Sequence, residues 1–395
     1  MIANAHVHLP PNFSAFDTAE DAVRTAAAEG VRVMGVSNFH DHRIYLRFEA
    51  AARAHGIVPL FGLEYITVDD ALLRAGTRVN DPGNPGRVYL CGKGASPFQP
   101  PTATAVRLMA KARAADEERM RVMVPRLRAC FSDAGLQTGL TDENIAEDVA
   151  ERAEVPRDWV VLQERHVAQA FQEALFLAVA PDRRPSILAR AFGGPSAVDV
   201  DDQAAVQGEI RARLMKSGRP AFVPESPVSL EEAYRLVLEL DGIPCYPTLA
   251  DGARPVCPWE APPEDLARRV LARGIHAAEL IPIRNQPGVV DAYVTAFRSA
   301  GIIVTAGTEH NTGRRIPMEP LCADGSRPSD TARDVFWEGT CVIAAHQHLR
   351  AEGRPGFVDD TGRPNAAFVD AEARIRWFAD LGAELISTAA GSVAR

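Results

Sequence analysis

Long apolar runs are missing from this 395-residue chain. None approaches the roughly 20 residues that a membrane-spanning helix needs, so no contact with a membrane is expected. The opening Met1-Ile2-Ala3-Asn4-Ala5-His6 has no apolar signal-peptide core, which points to a cytoplasmic protein. Positive charge is in deficit: 43 Lys and Arg against 52 Asp and Glu leave a net charge of -9. That balance provides no footprint for long nucleic acid, although a local basic pocket for a small anion remains compatible with it. The six cysteines, Cys91, Cys130, Cys245, Cys257, Cys322 and Cys341, contain no C-x-x-C pair. In a chain of this length without an export signal they are expected to be free structural thiols. Internal repeats and low-complexity tracts are absent too, which leaves one large barrel or two to three ordinary domains.

What is present is an alternation of short β-branched runs with amphipathic helices, the pattern of parallel βαβ units. Residues 31–38, 57–67, 87–92, 242–249, 277–283 and 302–308 read as buried strands. Helical stretches at 19–28, 45–55, 230–240, 264–273 and 289–300 lie between or behind them. Gly30, Gly56, Gly274 and Gly301 each stop a helix just before the next strand. The rhythm breaks between residues 102 and 217, where helices are expected at 108–134 (broken or kinked at Pro125), 141–152, 164–177 and 204–216. The βα pattern resumes only afterwards, so residues 1–101 and 218–322 read as two halves of one barrel interrupted by a helical insertion at 102–217. A tail at 323–395, with helices at 330–351 and 366–381, is expected to pack on the barrel as a helical extension.

Three short segments carry chemistry. In His6-Val7-His8, two imidazoles two residues apart on a strand share a face and can reach one metal ion. A lone H-x-H also has a plainer reading, two buried histidines with local partners. Its weight comes from Glu64, in Phe61-Gly62-Leu63-Glu64-Tyr65, and Glu309, in Ala306-Gly307-Thr308-Glu309-His310-Asn311. Both follow apolar strands, where active sites of α/β barrels gather. Two histidines and two carboxylates make a first shell suited to zinc, manganese or iron. Lys93 and Arg284 also follow strands, and cations at the mouth suit the phosphate or carboxylate of a small anionic substrate; their plainer role is solvated charge. His346-Gln347-His348 repeats the H-x-H spacing, but inside a helix residues two apart do not share a face.

These segments resemble the motifs of the PHP (polymerase and histidinol phosphatase) superfamily. His6-Val7-His8 is similar to its opening H-x-H. Gly35-Val36-Ser37-Asn38-Phe39-His40-Asp41 looks like its Thr-Asp-His run, and Gly62-Leu63-Glu64 matches its G-x-E. Gly307-Thr308-Glu309 stands where the family has Gly-Ser-Asp-x-His. Residues 218–224, 229–233 and 242–247 look like the nucleotide-phosphatase and RNA-trimming branch, which also has a helical insertion before this segment. The resemblance covers most of residues 1–312 and implies a distorted (β/α)7-type barrel, usually with a three-metal centre.

Departures from the family pattern are specific. Tyr246, in Cys245-Tyr246-Pro247, replaces the histidine of Ala-His-Pro; Tyr89 stands where another histidine is expected; Asn311 replaces the last histidine of the fourth motif. The first-metal set, His6, His8, Glu64 and Glu309, is intact, so at least one divalent ion is expected. His40, His42 and His310 then have open roles, as ligands of a second metal, as general acids or bases, or as ordinary loop histidines. Tyr246 reads either as a weak ligand or phenolic acid or as core packing, and Asn38 as a residue orienting a ligand or a substrate oxygen. The leading expectation is a metal-dependent hydrolase of a small phosphorylated substrate, a nucleotide or sugar phosphate. The alternatives are a single-metal lyase or isomerase of sugar acids, and a non-catalytic metal-binding module. Nothing in the sequence indicates the oligomeric state.

Overall fold

The computed structural model describes residues 1–96 and 100–392. Its strands are β1 (Ile2–Val7), β2 (Val31–Phe39), β3 (Val58–Val68), β4 (Arg87–Lys93), β5 (Val228–Ser229), β6 (Ile243–Thr248), β7 (Ala277–Leu280) and β8 (Ile303–Ala306). Seven of them form a nearly closed barrel in the order β1-β2-β3-β4-β6-β7-β8, with the short β5 paired to the end of β3. A parallel bridge between Val7 and Glu309 joins the last strand to the first. Gly307 permits that approach: a Cβ there would lie 2.3 Å from the Cβ of His6.

Alternation along each strand divides the core. Val7, Val36, Phe61, Leu63, Ala278 and Val304 pack outward against the surrounding helices. Val33, Leu60, Cys91, Cys245, Ala277 and Ile303 fill the base of the interior together with Cys341, Val342 and Ile343 of the 330–351 helix. That helix and its partner, Ala371–Ser392, belong to this basal cluster; the latter starts and ends later than the 366–381 pattern suggested.

One strand departs from the parallel scheme. β4 runs antiparallel to both of its neighbours, β3 and β6. The segment between β3 and β4 has only a five-residue helix, Asp70–Arg74, and none of its residues is buried. Without an apolar helical face to pack back on the sheet, the chain cannot build a parallel crossover and returns directly.

The insertion has its own core, centred on the 31-residue helix Ala103–Asp133. That helix is not broken at Pro125, which lies inside it. An interior proline costs about 3 kcal/mol. Met120, Met123, Val124, Leu127 and Phe131 are all buried on either side of it, and each such side chain contributes about 1.5–3 kcal/mol on burial, so packing outweighs the break. The helices Asp142–Ala153, Glu164–Ala178, Arg184–Phe192 and Gln203–Ile210 complete the insertion, and the last continues into a π-helical turn at Arg211–Met215. Among the described residues no helix is long and apolar enough to cross a membrane. All six cysteines are free.

Candidate metal centre

β1 delivers His6 and, one residue beyond its end, His8; β3 delivers Glu64. All three side chains are buried. His6 Nε2 lies 3.3 Å from His8 Nε2 and 3.8 Å from Glu64 Oε2, and His8 Nε2 lies 3.2 Å from the same oxygen. Ligands bound at about 2.1 Å in a tetrahedral shell are about 3.4 Å apart, so this trio fits a divalent ion without rearrangement. The His8 ring stacks on Phe39 with centroids 5.1 Å apart, and its Nδ1 is buried without a partner. Burial lowers the His8 pKa to about 4, which keeps its imidazole neutral and able to ligate. Burial also pushes the Glu64 carboxyl up to about 8, with Glu309 and Glu279 adding to the shift against His6. Crowded, desolvated lone pairs of this kind are what a bound cation relieves.

Glu309 lies beside the trio but does not join it. Its carboxylate receives Arg284 and, at 2.6 Å, Asn311 Nδ2. Glu309 and His310 both have left-handed backbones, with φ of 61° and 51°, a strained arrangement that recurs at functional turns. His6 Nδ1 approaches Glu279 Oε1 at 2.9 Å, and Glu279 Oε2 lies 2.6 Å from Lys93 Nζ. Burial alone would raise the Glu279 pKa; the neighbouring Lys93 and His6 outweigh it and hold the carboxyl well below the usual range.

Glu64 of the trio lines a cavity of about 490 Å³ between the barrel mouth and the insertion. Tyr89, Arg284 and Glu309 line it from the barrel, and Asp116, Arg165 and Arg211 from the insertion. Among the described residues Arg165 forms no hydrogen bond or ion pair, and burial together with Arg211 lowers its pKa to about 10, still charged at neutral pH. Arg211 leaves its buried Nε without a partner. His40, also with positive φ (57°), lines the same cavity, and its Nε2 lies 3.1 Å from Asp116 Oδ2 of the long insertion helix.

Other expected site residues lie elsewhere. Lys93 is not at the mouth: because β4 is antiparallel, its C-terminal end points into the barrel, where Lys93 is 2% exposed. Tyr246 faces away from the interior. It is in register with Ala278 while Pro247 is in register with the inward Glu279. Its hydroxyl donates to Glu260 Oε1 at 2.8 Å, and its ring packs near Trp259. Burial raises its pKa well above the ordinary phenol value. His310 has both ring nitrogens engaged, by Thr308 Oγ1 at 2.6 Å and Ile316 O at 3.0 Å. His42 packs edge-on to Tyr45 and does not line the cavity. Asn38 holds both backbone groups of Leu9 at 2.8 Å, so it fixes the turn following His8 and does not contact the cavity. His346 is buried and holds Asp241 O and Phe357 N.

Sequence reasoning missed Glu279, Asp116, Arg165 and Arg211. Glu279 had a readable signal, a lone charge inside the apolar run Ala277-Ala278-Glu279-Leu280. The other three lie on ordinary polar helix faces and had none.

No family profile matches the chain, and no curated protein sequence matches it. Solved structures do. A protein described as a metal-dependent phosphoesterase from Bifidobacterium adolescentis aligns with TM-score 0.54 at 17% identity, over 85% of this chain and 95% of its own. An amidohydrolase from Chromobacterium violaceum, with bound sulfate and no metal, aligns with TM-score 0.54 at 17% identity, over 85% and 96%. Neither identity carries function across; the likeness shows the fold. The architecture implied by the motifs is the one the chain has, a distorted, nearly closed α/β barrel of seven strands.

Proposed function

We propose that this chain is a metal-dependent hydrolase that cleaves a phosphoester of a small anionic substrate, such as a nucleotide or sugar phosphate. One observation carries the reading: Glu64 of the His6–His8–Glu64 trio lines a cavity of about 490 Å³ in which the Arg165 guanidinium forms no hydrogen bond or ion pair. A free guanidinium beside a metal site is suited to two-point recognition of an oxyanion. The sulfate held by the Chromobacterium violaceum protein is consistent with oxyanion binding on this fold.

His6, His8 and Glu64 would hold the ion, with zinc, manganese or iron all compatible with the donor set. A bound divalent ion supplies Lewis acidity and an acidified water. The side chains of this chain do the rest. Arg165 and Arg211 bind the anionic group, Arg284 and Asn311 orient Glu309 at the edge of the trio, and His40, held by Asp116, moves the proton.

Elemental analysis combined with turnover of a phosphoester panel tests the reading. The expected result is at least one ion per chain, activity abolished by a chelator, and a loss of activity in His40→Ala. A metal-loaded protein that hydrolyses no phosphoester overturns it. The single-metal lyase or isomerase reading is favoured by Tyr89, which lines the mouth where a second imidazole is expected. Sugar acids in the same panel decide between the two.

A further inference from the structure

Lys93 is a charged side chain with no access to the cavity. Its ammonium donates to Ala5 O at 3.0 Å and Ser37 Oγ at 3.0 Å and forms an ion pair with Glu279 Oε2 at 2.6 Å. Glu279 is fully buried, and its other oxygen meets His6 Nδ1 at 2.9 Å. A continuous chain, Lys93–Glu279–His6, therefore runs up the barrel interior and ends at the trio. Buried ion pairs seldom raise stability over an apolar pair of similar volume, so general stabilisation does not account for two charges in the barrel core. Orientation does. A carboxylate that accepts from one ring nitrogen of a histidine fixes the tautomer and the direction of the other nitrogen.

We propose that Lys93 is a positioning residue of the metal centre. Its buried ammonium holds the Glu279 carboxylate against His6, so that the proton of His6 stays on Nδ1 and the Nε2 lone pair faces His8 and Glu64. The inference rests on reading the trio as a metal site, but the tautomer exists with or without an ion. It also explains a second cluster. His6, Cys91 and Glu279 have ligand atoms within 4.8 Å of one another, a spacing that suits a metal. The cation that serves Glu279 there is the Lys93 ammonium itself, so the barrel interior takes one metal ion and one built-in charge.

The test compares the full-length protein with Lys93→Met, Glu279→Gln and the double variant. Nitrogen-15 NMR of metal-free wild type reads the His6 tautomer, and calorimetric titration with zinc reads affinity. His6 is expected to carry its proton on Nδ1 in wild type and to lose that preference in both single variants. Each single variant is expected to weaken zinc binding by about 10- to 100-fold. Because Lys93 acts through Glu279, adding Lys93→Met to Glu279→Gln should change affinity by less than about threefold. A wild-type His6 protonated on Nε2, a folded Lys93→Met with unchanged affinity, or effects that simply add would each overturn the proposal. If Lys93→Met does not fold, the wild-type tautomer and Glu279→Gln decide the matter. If wild type binds no zinc, the metal reading fails, while the NMR measurement still tests the Lys93–Glu279–His6 chain.

Discussion

Glu64 is the only carboxylate in the trio, with Oε2 3.2 Å from His8 Nε2 and 3.8 Å from His6 Nε2. Replacing it by glutamine keeps the shape and removes the charge. Metal-binding free energies of about 10–16 kcal/mol over four ligands correspond to roughly 3 kcal/mol per ligand, or at least about 100-fold in Kd. The consequence appears in stability through linkage. With free metal at about 1,000 times the wild-type Kd, binding adds about 4.1 kcal/mol to the folded state. A 100-fold weaker site at the same concentration is at only about 10 Kd and adds about 1.4 kcal/mol. The metal-dependent stabilisation of Glu64→Gln should therefore fall by about 2.7 kcal/mol. The assay is denaturant unfolding with and without zinc or manganese. Metal-free Glu64→Gln should be no less stable than metal-free wild type, because the amide removes a buried carboxyl that desolvation has already pushed to about 8. A variant equally stabilised by metal, or destabilised to the same extent without it, refutes the ligand role and makes Glu64 a packing residue.

Tyr246→His should leave metal stoichiometry unchanged by elemental analysis, because position 246 faces away from the barrel interior; Tyr246→Phe should cost about 1–2 kcal/mol in unfolding free energy through the lost hydrogen bond to Glu260. Arg165→Met should raise KM for the phosphorylated substrate by about 10- to 100-fold, the equivalent of about 1.5–3 kcal/mol for a charge-assisted hydrogen bond, with metal content unaltered; an unchanged KM removes Arg165 from substrate binding. His166 accepts from Gln163 N–H at the start of the Glu164–Ala178 helix, and burial lowers its pKa from 6.5 to about 3. Between those values the unfolded chain binds a proton that the folded chain refuses, so stability should fall as pH drops through that window, and His166→Gln should flatten the dependence in unfolding curves measured against pH. His348→Ala should leave metal content unchanged, since this half-exposed histidine pairs with Glu352, the residue just past the end of the 330–351 helix.

Much of the barrel was legible because its strands are apolar enough to leave no other reading. The 87–92 run was recognised as a strand, yet its direction was not, because direction depends on whether the preceding segment can bury a helical face. That single undetermined fact moved Lys93 from the mouth into the interior. Tyr246 illustrates the same limit at smaller scale. Its motif position was readable, but inward or outward facing depends on the register between neighbouring strands, and a shift of one residue reverses every side chain. His6, His8 and Glu64 were legible since their strand-end positions survive either uncertainty. Glu309 was read as a fourth ligand, but its carboxylate pairs with Arg284 beside the trio, a contact that depends on where the chain turns after β7.

The sequence by itself determined the alternation that builds the barrel, the interruption that makes the insertion, and the strand-end residues of the trio, because each is written in local periodicity and spacing. Only the tertiary structure decided which charges meet. Arg165, Arg211 and Asp116 come from helices whose polar faces resemble any solvated surface, and they reach the site because the insertion packs over the mouth. Lys93 and Glu279, 186 positions apart in the chain, meet because barrel closure forces their strands to point side chains into one narrow interior, where a buried charge must find its counter-charge.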